Sequence, residues 1–155
     1  MFRKKIEKSI IQAVEKTFLD MLFIDIAKIF DMDKNADFSS VLSISFINPV
    51  KGEMVLSLPF ETKKMILENI HGVNWESLTP QAIDDCLLEV LNVLGGNFLN
   101  YFSGDNKKHN MSFPKIITDK NKELPEDEET IRCFFNGENV PFCVTVSIWE
   151  QEQSL

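Results

Sequence analysis

Thr79-Pro-Gln-Ala-Ile-Asp-Asp-Cys-Leu-Leu-Glu-Val-Leu-Asn-Val-Leu-Gly-Gly-Asn-Phe-Leu-Asn-Tyr-Phe102 is the stretch around which the chain is organised. Thr79 is a good helix N-cap, and Pro80 falls at the first helical position, where its missing N–H costs nothing. Apolar residues at Ile83, Leu87, Val90, Leu91, Leu94 and Phe98 then repeat with the spacing of one helix face. At about 100° per residue, Asp85, Glu89, Asn92 and Gly96 fall within about 60° of one another, almost opposite that face. One side of the helix therefore belongs to a core. The other carries two acids, an amide and a glycine in a line.

The plain reading of such a line is a solvated helix face. Two features set it apart. Asn is a poor helix former at an unconstrained interior position. Gly95 and Gly96 together cost about 1 kcal/mol each relative to Ala inside a helix. Gly95 lies on the flank, where it would let another element pack closely. Gly96 lies in the polar line, where a missing side chain would let a partner approach.

The preceding residues read as strands and helices. Ile6, Ile10, Val14, Phe18, Leu22 and Ile26 step at i+4 and predict a first helix with a broad core face. Residues 31–40 are a polar connector. Val41–Asn48 alternates with Leu42, Ile44 and Phe46 on one side; Glu53–Pro59 alternates with Met54, Leu56 and Leu58. The Asn48–Gly52 turn makes these an antiparallel hairpin. Phe60–Ile70 predicts a short helix that ends at Gly72.

After the central helix, residues 103–110 form a loop. Met111–Thr118 reads as a strand whose Pro114 places it at an edge, a bulge or a strand start. Residues 119–129 read as an acidic loop. Ile131–Phe135, a turn at Asn136–Asn139 and Phe142–Trp149 make a second hairpin. The expected order is α-β-β-α-α-β-β-β. Segregated strands without a βαβ rhythm predict an α+β fold, with helices packed on an antiparallel sheet of two hairpin-like units. A single domain over residues 1–155 is expected.

A net charge of −8 disfavours nucleic acid and anionic membranes as partners. No apolar run is long enough for a transmembrane helix, and the N-terminus lacks the pattern of a signal peptide. Cys86, Cys133 and Cys143 form no CxxC pair, as expected of reduced thiols in a cytoplasmic protein. His71 and His109 have no ligand-like neighbours in sequence, so no metal site is expected. Phosphate-binding loops and the common nucleophile motifs are absent. The Asp85–Glu89–Asn92 line remains as the candidate site.

That line, followed by Pro114, resembles the signature of the CheC/CheX/FliY family of chemotaxis phosphatases: Asp or Ser, Glu and Asn on a helix, with a Pro further on. The resemblance spans nearly the whole chain. It takes in Val14–Leu22, Val41–Gly72, the Ser112–Asp119 strand and Phe142–Ile148. A single copy of the motif is most similar to the CheX branch. The first hairpin turn, NPVKGE, departs from the family's more glycine-rich pattern without touching the motif.

The resemblance implies a phosphatase acting on the aspartyl phosphate of a CheY-type response regulator. Glu89 and Asn92 would be the catalytic residues, entering the regulator's own active site. Asp85, Gly96 and Pro114 would contact the partner. No cofactor of the chain's own is implied, with Mg²⁺ expected in the regulator. The resemblance also implies a homodimer through sheet edges. The alternative is a non-catalytic binding or dimerisation module of the same fold.

Overall fold

The computed structural model describes residues 2–32, 37–105, 107–118, 130–138 and 140–151, with the side chains of 150 and 151 outside that description. Its elements are α1 (Phe2–Leu22), β1 (Ala27–Ile29), β2 (Phe38–Asn48), β3 (Val50–Pro59), α2 (Phe60–His71), α3 (Pro80–Ser103), β4 (Asn110–Met111), β5 (Lys115–Ile116), β6 (Thr130–Gly137) and β7 (Val140–Gln151). A single 3₁₀ turn, Trp75–Ser77, joins α2 to α3. The fold is α+β, as expected. One antiparallel sheet runs in the order β1-β6-β7-β3-β2-β4, with β5 also pairing β2.

Alternation along each strand sorts the side chains between two faces. Leu42 and Ile44 pair with Leu56 and Met54, which pair in turn with Val144 and Val146. Cys133 and Phe135 continue this row opposite Val144 and Phe142. The long helices lie on that row. Phe18 of α1 stacks on Phe142 with ring centroids 4.6 Å apart, and Phe98 of α3 stacks on Phe46 at 5.3 Å. Ile66 and Leu67 of α2 join the same buried cluster. Between the long helices, the Asn97 amide donates to the buried Thr17 hydroxyl at 2.9 Å. The hydrophobic cluster holds α3 by its apolar face and leaves the opposite face outward.

Three local expectations change. The stripe through Ile26 predicts a longer first helix, but α1 stops at Leu22. Phe23 adopts φ 58°, and the amides of Phe23 and Ile24 reach back to the carbonyls of Leu19 and Phe18. This is an αL-type ending, its bond running from the Phe23 amide to the Leu19 carbonyl, with buried Ile24 placed two residues past the last helical one. The chain then adds β1, a three-residue edge strand. The expected strand over Met111–Thr118 is split into β4 and β5 around Pro114, which supplies no N–H to a ladder. Around the break, Ser112 N donates to Ser45 O and Ile117 N to Val41 O.

Strand limits shift as well: Phe38–Ser40 of the expected connector, Val50–Gly52 of the expected first turn and Asn136–Gly137 of the second are ladder-paired strand, so both turns are tighter than expected. Gly72 ends α2 at φ 68°, in the left-handed region that favours glycine. The first hairpin turns at a cis Asn48–Pro49 bond. The second turns at Glu138; the expected turn residue Asn139 and the acidic loop at 119–129 lie outside the described residues. No helix among the described residues is long and apolar enough to cross a membrane.

Candidate functional site on the outer face of the central helix

The site begins with the cap of α3. The Thr79 hydroxyl accepts from Ala82 N at 3.1 Å, with Pro80 at the first turn, so the helix starts in fixed register. Cys86, Leu87, Val90, Leu91, Leu94, Gly95, Phe98, Leu99 and Phe102 are buried. Ile83 is only half-buried, because it lies near the start of the helix where the cover thins. Asp85, Glu89 and Asn92 are exposed. None of the three makes a side-chain hydrogen bond or ion pair within the described residues. Their polar atoms face solvent from a helix whose opposite side is locked in the core.

The two glycines have different surroundings. A Cβ on Gly95 would lie 3.1 Å from Met111 Sδ and 3.4 Å from Ile44 Cγ2, so its absence lets the sheet edge pack against α3. A Cβ on Gly96 would meet only Met111 Cε, at an ordinary 3.9 Å. The protein's own packing does not require glycine at position 96.

Pro114 belongs to the edge segment that packs beside this part of the helix. Met111 pairs with Phe46, and Ile116 with Leu42. Both Phe46 and Ile44 approach Gly95. The residues between β4 and β5 therefore lie level with the Gly95 turn of α3, one turn from Asn92. At the other end of the face, Asp85 and Glu89 help line an open, mainly apolar hollow of about 380 Å³ with Met21, Ile70, His71, Ala82 and Cys86.

The remaining reactive side chains do not assemble into a second centre among the described residues. The three thiols are free and buried. Burial pushes the Cys133 thiol up to about 12 and the Cys143 thiol up to about 11, and raises Cys86 as well. All three stay protonated near neutrality, the unreactive form of a thiol. Cys143 lies on the sheet face turned away from the long helices, opposite Ser57. His109 Nε2 lies 3.2 Å from the Gly104 carbonyl, and no group of three His, Cys, Asp or Glu could hold a metal among the described residues.

An antiparallel sheet thus carries a central helix whose outward face holds an acid–amide pair. The family described as chemotaxis phosphatase CheX matches residues 40–136, and the chain belongs to that family. No curated protein matches it. Among solved structures it is similar to a CheC-like superfamily protein from Shewanella sp. PV-4, at 15% identity and TM-score 0.73, covering 94% of this chain and 97% of that one. A chemotaxis protein CheX from Desulfovibrio desulfuricans matches at 16% identity and TM-score 0.72, covering 93% and 99%. The CheX–CheY–BeF₃–Mg²⁺ complex from Borrelia burgdorferi also contains a match, at 15% identity and TM-score 0.69, covering 93% and 97%.

Proposed function

We propose that this protein dephosphorylates the aspartyl phosphate of a CheY-type response regulator, with Glu89 and Asn92 entering the regulator's active site. The observation that carries this reading is the Glu89–Asn92 pair: adjacent on one helix face, exposed and without partners among the described residues. Family membership and the regulator-bound relative support it.

The chemistry needs little from the phosphatase. In the regulator, Mg²⁺ and a lysine already neutralise the phosphoryl oxygens. The missing element is a water held in line with the bond to the aspartate, and phosphoryl transfer depends above all on such positioning. The Asn92 carbonyl accepts from that water while its NH₂ donates to a phosphoryl oxygen. A carboxylate there would repel the phosphate. The water oxygen bonds to phosphorus as the P–O bond to the aspartate breaks, releasing inorganic phosphate and restoring the carboxylate. Glu89 pairs with the regulator's lysine and fixes the register of the helix. Asp85 contacts the partner further along, Gly96 leaves room for its loops, and Pro114 borders the contact. The chain brings no cofactor of its own; the Mg²⁺ belongs to the regulator. It works as a cytoplasmic homodimer joined through sheet edges.

The two side chains separate by their kinetics. Asn92→Ala lowers kcat by at least about a hundredfold with regulator binding retained, because it removes an interaction made at the reacting water. Glu89→Ala weakens binding and its salt dependence as well as the rate. Both variants remain folded, since exposed substitutions shift stability by about 0.5 kcal/mol or less. A folded Asn92→Ala protein with unchanged turnover assigns the face to a non-catalytic binding module.

A further inference from the structure

Phe113 lies in the edge segment beside the outer face of α3. The residue is 95% exposed, although it stands between two ladder-paired pieces of strand. The backbone around it is fixed. Ser112 N donates to Ser45 O at 2.9 Å, Ser45 N donates to Ser112 Oγ at 2.9 Å, and Ile117 N donates to Val41 O at 2.8 Å. No other aromatic ring among the described residues stacks on it. An apolar ring held outward on a fixed backbone loses little conformational freedom when a partner covers it, which is the physical character of an interface anchor.

The register places the Phe113 segment level with the Gly95 turn of α3, one turn from Asn92, where Gly96 leaves the helix surface low. Pro114 removes a donor from the same outer edge and so discourages pairing by an added strand. Charge divides across the face. Asp85 and Glu89 stand towards the start of α3; Lys107 and Lys108 are exposed just beyond its other end, beside Asn48 and Asn110. The matching partner surface carries a cation opposite Glu89, an apolar recess opposite Phe113 and carboxylates towards the lysines.

We propose that Phe113 is the apolar anchor that seats the phosphorylated receiver domain on this face, making it a specificity residue for the reaction proposed above, on which this inference rests. The ring touches no reacting atom. It sets affinity and the orientation in which Glu89 and Asn92 enter.

The test compares Phe113→Ser, Phe113→Leu and Asn92→Ala in steady-state dephosphorylation of a CheY-type receiver, with titration of its BeF₃⁻/Mg²⁺ form. Phe113→Ser is expected to raise KM and the dissociation constant about tenfold or more and to leave kcat within about twofold. Phe113→Leu restores most of the affinity, since it returns apolar area without the ring. Asn92→Ala gives the opposite split. If Phe113→Ser retains the parental KM and dissociation constant while Asn92→Ala loses turnover, the anchor is wrong and the catalytic reading stands. If Phe113→Ser loses kcat at unchanged KM, the residue is no anchor. If the unsubstituted protein neither binds nor dephosphorylates the receiver, both proposals fall.

Discussion

Gly96 is the residue whose presence the fold explains least. It sits in the interior of α3, where glycine is about 1 kcal/mol less favourable than alanine, and a methyl group there would meet only the end of Met111. Gly96→Ala should therefore raise the stability of the isolated protein by up to about 1 kcal/mol while slowing dephosphorylation through weaker binding. Chemical denaturation and steady-state kinetics on the same variant read the two effects. A variant that is more stable and equally active would show that the open space at Gly96 is not used. At this scale the outward face of the candidate site was legible: Asp85, Glu89, Asn92 and Gly96 share a face by helix geometry alone. Phe113 was not. Apolar residues in a strand are read as inward, and nothing local shows that the segment lies outside the sheet's covered part.

At the scale of elements, glycine marks the places where strands and turns come close. A Cβ on Gly52 would collide with the Ser147 carbonyl oxygen and lie 2.9 Å from Ile148 Cδ1, beside the register shift between β3 and β7. Backbone cannot move aside as a flexible side chain can. Gly52→Ala should cost about 2–3 kcal/mol, seen as a Tm lower by roughly 5–10 °C, with kcat retained at temperatures where the variant is folded. An unchanged Tm would contradict the close approach. The two hairpins, α2 and α3 were legible because their periodicities are long and their caps follow local chemistry. The end of α1 was not, because Ile26 keeps the i+4 spacing beyond the turn and the left-handed residue is Phe23, where glycine would have given a signal. The three residues of β1 are too few to show a period. Pro114 announced an edge, but the split it makes depends on pairing with β2, which is non-local.

For the whole molecule, among the described residues the sheet ends at β1 on one side and at the broken β4–β5 segment on the other. Since the latter borders the proposed docking face and Pro114 interrupts it, the β1 side is the edge left for self-association. Sedimentation at micromolar concentration should give the mass of a dimer; a monomer mass would contradict it. What the exposed face of α3 does to a partner is read from phosphate release by a phosphorylated CheY-type receiver in Mg²⁺, alone and with catalytic amounts of this protein. Many turnovers per molecule are expected, above the receiver's own rate, and their loss in folded Asn92→Ala. Release at the receiver's own rate, with or without the protein, would show that this face is not that of a phosphatase.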